Sequence, residues 1–209
     1  MRKYIIATVM LLALAYGSRA AEPVRMADPS EFGRRLAAMA ASVNSIESRF
    51  EQNKYIDVLQ RTVTSAGKFL FMKPGMVRMQ YDAPLDYTIM IDGETMKTIT
   101  GGKTVSASAS GNPMLGEIRD MMTSCMTGDI SSLSGEFSIS YFDDGNGYLV
   151  KLEPCSDLIK EYISGIELRF DKDTMRLDRL RMSEKGSDFT EYVFRDVRYN
   201  TLDDPSLFR

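Results

Sequence analysis

The chain has 209 residues, 44% of them apolar, with 26 Lys and Arg against 29 Asp and Glu, two Cys, 15 Met, no His and no Trp. That apolar share excludes wholesale disorder, and the interspersed charges leave no electrostatic footprint for nucleic acid or an anionic bilayer. The absence of His removes Ser-His-Asp and Cys-His catalysis and the commonest metal ligand.

Arg2 and Lys3 precede the apolar run Tyr4 to Tyr16, and Ser18-Arg19-Ala20 supplies a small-x-small cleavage site. This is the pattern of a secretory signal peptide over 1–21, leaving one domain over 22–209. The run is shorter than the about 20 residues that span a bilayer's hydrocarbon core, although an uncleaved anchor is the competing reading. No Cys near the cleavage site invites lipid anchoring. Cleavage removes Arg2, Lys3 and Arg19 and no acid, so the mature chain carries 23 bases against 29 acids.

Asp28-Pro29-Ser30-Glu31 predicts a helix start, with Asp as N-cap, Pro in the first helical position and Glu three after the cap. Phe32, Leu36, Met39 and Val43 then fall on one stripe that must be buried, with the helix ending at about Val43. From Ser45 the period changes to two. Val77, Met79 and Tyr81 alternate with Met76, Arg78 and Gln80, and Tyr87, Ile89 and Ile91 with more polar neighbours. The alternation returns in Phe137-Ile139-Tyr141, Tyr148-Val150-Leu152 and Ile166-Leu168-Phe170, and less regularly from Leu180 to Tyr199. Asp92-Gly93, Gly101-Gly102, Asp144-Gly145-Asn146-Gly147 and Lys185-Gly186 mark turns. The fold class that follows is mainly β (α+β), with about ten strands in one antiparallel sheet that is curved or half closed.

One helix interrupts the strands. Asn112-Pro113 opens it, Gly128 ends it, and Met114, Leu115, Ile118, Met121, Met122, Cys125 and Met126 form its apolar face. Such a Met stripe reads either as ordinary core or as an adaptable surface for apolar cargo, because thioether side chains are flexible and polarisable. A short helix or loop is expected around Ser156 to Tyr162. Cys125 and Cys155 read either as a single disulfide, expected in an oxidising compartment, or as two buried thiols. No Walker loop, dinucleotide fingerprint or G-x-S-x-G occurs, and Asp143-Asp144 and Asp203-Asp204 fit turn chemistry. An enzyme is not expected, and neither a cofactor nor a metal is implied.

Ile46...Phe50-Glu51-Gln52, then Gly67-Lys68-Phe69-Leu70-Phe71-Met72-Lys73-Pro74-Gly75-Met76-Val77-Arg78, then Pro84 and Ile89-Met90-Ile91-Asp92-Gly93, resemble in order the periplasmic outer-membrane lipoprotein carrier (LolA) family. The C-terminal Phe189, Tyr192, Phe194, Tyr199-Asn200 and Phe208 resemble its members too. The resemblance implies an incomplete antiparallel β-barrel with an N-terminal helix and a helical lid. It also implies a monomeric periplasmic carrier that holds lipoprotein acyl chains and moves them from the inner to the outer membrane. Its partners would be acylated lipoproteins, an inner-membrane lipoprotein-releasing transporter and an outer-membrane acceptor. On that reading the lipid-binding candidates are Phe69, Phe71, Met79, Tyr81, Ile89, Met114, Ile118, Met121 and Met122. Lys73 and Arg78 are candidates for holding the lid, or else are solvated strand charges. Met79 departs from the family, where an aromatic is common. A lipid-sensing regulatory or interaction protein of the same fold is the alternative.

Overall fold

The computed structural model describes residues 22–92, 95–108 and 113–209, with backbone only at 113–115, 117 and 118. The signal-peptide expectation for 1–21 lies outside the described residues. The strands are β1 (Val24–Arg25), β2 (Ser45–Ile56), β3 (Arg61–Met72), β4 (Met76–Tyr81), β5 (Tyr87–Asp92), β6 (Thr95–Thr100), β7 (Lys103–Ser108), β8 (Phe137–Asp143), β9 (Gly147–Pro154), β10 (Ile163–Asp171), β11 (Leu177–Glu184) and β12 (Phe189–Tyr199). The helices are α1 (Ser30–Ser42), α2 (Pro113–Thr127) and the short α3 (Asp157–Lys160).

All twelve strands pair antiparallel in one open sheet, in the order β1-β8-β9-β10-β11-β12-β2-β3-β4-β5-β6-β7. The expected count was about ten. The two edge strands β1 and β7 carry no alternation to read, since every residue of both is exposed. β12 lies beside β2 with Phe194 opposite Phe50, a pairing that fuses the two halves of the chain into one surface. Because side chains alternate, each strand presents one set to the concave face: Phe50, Gly67, Phe69, Phe71, Val77, Met79, Val150, Leu152, Ile166, Leu168 and Phe170 are all buried there. Gly67 is fixed by close approach. A Cβ at this position would lie 2.2 Å from the Gln80 carbonyl oxygen and 2.7 Å from Phe50 Cζ.

α1 covers the β8–β10 half of the concave face. The helix starts one residue later than expected, at Ser30 with Pro29 in the N-cap position, and Asp28 lies just before it, its Oδ1 accepting a hydrogen bond from the Ser30 amide at 2.9 Å. Phe32, Leu36 and Val43 are buried, and the Phe32 ring meets Tyr148 at 4.6 Å and Tyr141 at 5.8 Å. α2 ends at Gly128, whose φ of +85° suits glycine. The convex face has its own cover, the C-terminal turn Pro205–Phe208. It packs on β4 and β5, where Phe208 and Met90 are buried.

Candidate functional site: an apolar cavity beneath a methionine-rich helix

Between α2 and the concave face lies a cavity of about 150 Å³. Met121, Met122, Cys125 and Met126 of α2 form its roof, Phe69 and Met79 of β3 and β4 one wall, and Ile166, Leu180, Met182, Tyr192 and Phe194 of β10–β12 the other. The helical stripe produces the roof because positions three and four apart share a face, and strand alternation produces the walls. Six of the eleven lining residues carry sulfur, which gives the cavity soft, conformationally adaptable walls. The α2 side chains that meet the sheet across the cavity are Met121, Met122, Cys125 and Met126.

Two side chains give the cavity its polar character. Burial pushes the Cys125 thiol up to about 12, so it stays protonated and behaves as a small apolar group. Burial also pushes the Tyr192 phenol far above its usual range, and the neighbouring Tyr81 adds to the shift. Tyr81 in turn packs against Phe50 at 5.1 Å and Tyr87 at 5.7 Å. The arrangement can solvate hydrocarbon and offers it the Tyr192 hydroxyl. It contains no nucleophile paired with a base, and no group of three or more His, Cys, Asp or Glu among the described residues could hold a metal.

Of the sequence candidates, Phe69, Met79, Met121 and Met122 line the cavity together. Phe71 is wholly buried in the core beneath it rather than lining it. Tyr81 reaches the site through Tyr192, and Ile89 packs at the side of the core. The side chains of Met114 and Ile118 lie outside the described residues. The β10–β12 wall was missed as a site although its alternation was legible, because nothing local shows that these strands face α2.

The disulfide expectation is corrected. Cys125 and Cys155 are both free, one buried on the inner face of α2, the other exposed just past the end of β9. The apolar stripe turns Cys125 inward, away from solvent-facing Cys155. The expected lid contacts of Lys73 and Arg78 also go elsewhere. Lys73 Nζ donates to the Ala40 carbonyl of α1 at 3.0 Å. Arg78 Nη1 donates to the Leu207 carbonyl at 2.8 Å on the convex side, and its Nη2 to Gln80 Oε1 at 3.2 Å. What meets α2 from this turn is Gly75, where a Cβ would lie 3.8 Å from Arg119 Cδ.

A family model for the outer membrane lipoprotein carrier protein LolA matches residues 41–209. The chain belongs to the LolA family. The outer-membrane lipoprotein carrier protein of Pseudomonas paraeruginosa is 25% identical to this LolA-family chain over 205 residues, 98% of this chain and 93% of that protein. The carrier of Chromohalobacter salexigens is 23% identical over 197 residues, covering 94% and 90% of the two chains. An uncharacterised conserved protein from Thermus thermophilus shares the fold, with a TM-score of 0.52 at 6% identity over 85% of this chain and 93% of that one. No helix among the described residues of the LolA-family chain is long and apolar enough to cross a membrane.

Proposed function

We propose that this protein is a periplasmic, non-enzymatic carrier that takes lipoprotein acyl chains into the space between α2 and the concave face and moves them from the inner to the outer membrane. The observation that carries the reading is the cavity itself: a sulfur-rich, almost wholly apolar space roofed by a helix that meets the sheet through flexible side chains. Membership of the family supplies the expected partners, an inner-membrane releasing transporter and an outer-membrane acceptor.

The energetics favour such cargo, since each CH₂ removed from water contributes about 0.8 kcal/mol. A cavity of 150 Å³ matches the size that holds a benzene molecule, so a long acyl chain requires α2 to move outward. Release demands that the closed, empty state be close in free energy to the loaded one. Closure by thioethers meets that demand: they can pack on one another or on an acyl chain at similar cost.

Native and denaturing mass spectra of the protein recovered from the soluble envelope fraction test the reading. A releasable acylated polypeptide mass supports it. A clean apo mass that stays unchanged after incubation with a purified triacylated lipoprotein overturns it.

A further inference from the structure

Met79, which lines the cavity, stands opposite Ile89 of β5, Ile89 opposite Thr98 of β6, and Thr98 opposite Val105 of β7. Residues directly opposite one another share a face of the sheet, so this row runs along the concave side from the cavity to the edge. Exposure rises along it: Met79 is 5% exposed, Ile89 and Thr98 are half-buried, and Val105 is 67% exposed. On the other side of the cavity α1 fills the space, with Phe32 against Tyr141, Tyr148 and Phe170, and Leu36 against Gly128 just past the end of α2. Among the described residues, the concave face therefore opens towards β7.

β7 is the last strand of the sheet and, among the described residues, pairs with β6 alone. In an antiparallel pair, alternate residues turn their N–H and C=O groups away from the neighbouring strand, so the outer side of β7 is a ladder that an extended chain can join. The devices that usually blunt such an edge are missing from Lys103 to Ala107. The segment has no Pro, no bulge breaks the β6–β7 register, and its one charge, Lys103, stands at the first position. The opposite edge strand, β1, is only two residues long.

We propose that the β7 edge takes up the polypeptide part of the cargo, the extended segment next to the acylated residue adding to the sheet as a further strand while the acyl chains lie beneath α2. The proposal rests on the carrier reading. Strands lie about 4.8 Å apart, so β7 is about 14 Å from β4, a distance that about five extended residues span. The tether decides between occupants. The edge is under about 20 Å long and one layer, about 10 Å, thick, so two free copies meeting there would bury about 400 Å² in all, short of the about 1,000 Å² that a stable interface needs. A peptide already held by its acyl chains needs no such area, because a short flexible linker gives it an effective concentration in the millimolar range. Main-chain hydrogen bonds are also indifferent to side-chain identity, so the edge accepts cargo of varied sequence.

Affinities of the protein, expressed from the full chain and recovered from the soluble fraction, are measured for a palmitoylated dipeptide, a palmitoylated peptide of about ten residues, and the same longer peptide with its backbone nitrogens methylated. The unmodified longer peptide should bind about tenfold or more tightly than either of the others, since methylation removes the strand donors and leaves the side chains in place. Amide hydrogen exchange within 103–107 of β7 should slow with that peptide and with neither of the others. Equal affinities for all the probes overturn the β7 site and leave the carrier reading standing. Tighter binding of the longer peptide without slowed exchange at 103–107 does the same, because its backbone then docks elsewhere. Failure of every probe to bind overturns the carrier reading and this proposal with it.

Discussion

Lys73 Nζ donates a hydrogen bond to the carbonyl of Ala40 at 3.0 Å, so the basic residue of the Lys-Pro-Gly turn fastens the last turn of α1. A cation there also complements the negative end of the helix dipole. Replacing Lys73 with Met removes this tie. A loss of about 0.5–1.5 kcal/mol in denaturant unfolding is expected, with little change in acyl-chain affinity. A changed affinity at unchanged stability would show instead that Lys73 acts on α2.

Met182 lies on the β-sheet wall of the cavity and is only partly buried. Filling the space with Met182→Trp should lower affinity for a fluorescent long-chain acyl probe by about tenfold or more, while the melting temperature holds or rises because a void is replaced by contacts. Equal acyl binding in this variant would place the cargo elsewhere.

Thr123 Oγ1 on α2 is buried without a hydrogen-bond partner among the described residues, beside the turn at Gly75. An orphaned hydroxyl costs on the order of 1 kcal/mol or more in the closed form. Thr123→Val keeps the shape and removes the hydroxyl, so the closed state should gain stability. Stopped-flow uptake of the acyl probe is expected to slow while equilibrium unfolding shifts to higher denaturant. A lower melting temperature would mean that the hydroxyl is satisfied in solution.

Asp178 pairs with Arg169, which also binds Asp144 Oδ2 at 2.7 Å, yet burial holds the Asp178 carboxyl above its usual range and leaves Oδ1 unpartnered. A carboxyl raised on folding contributes stability that is full below its unfolded value and is lost as pH rises through its folded one. Asp178→Asn removes that loss. Its melting temperature at neutral pH should equal or exceed that of the parent, and the advantage should vanish in acid. Asp143 has the opposite sign: hydrogen bonds from Lys172 and the Gly145 amide hold it low, so its contribution is present above its usual value and lost as pH falls. A marked drop for Asp178→Asn at neutral pH would show that the Arg169 pair outweighs burial.

Much of this protein was legible in its residues. Periods of two and of three to four located most strands and both long helices, since a half-buried element must segregate its apolar side chains. Gly67 and Gly128 stand where backbone approach and a left-handed φ require glycine. The order of short motifs from Ile46 to Gly93 resembles the family whose model matches residues 41–209. Strands without burial on either face, β1 and β7, gave no signal.

Long-range pairing decided the rest. Alternation says that Met182, Tyr192 and Phe194 share a face with their strand neighbours, but only the β12–β2 register brings that face opposite Phe69 and beneath α2. The stripe says that Cys125 is buried, but only the path of the chain separates it from Cys155. Lys73 and Arg78 are five residues apart in sequence, yet one serves α1 and the other the C-terminal turn on the convex side. Local periodicity fixes which side chains must leave water; the partner they meet is set by contacts between segments far apart in sequence.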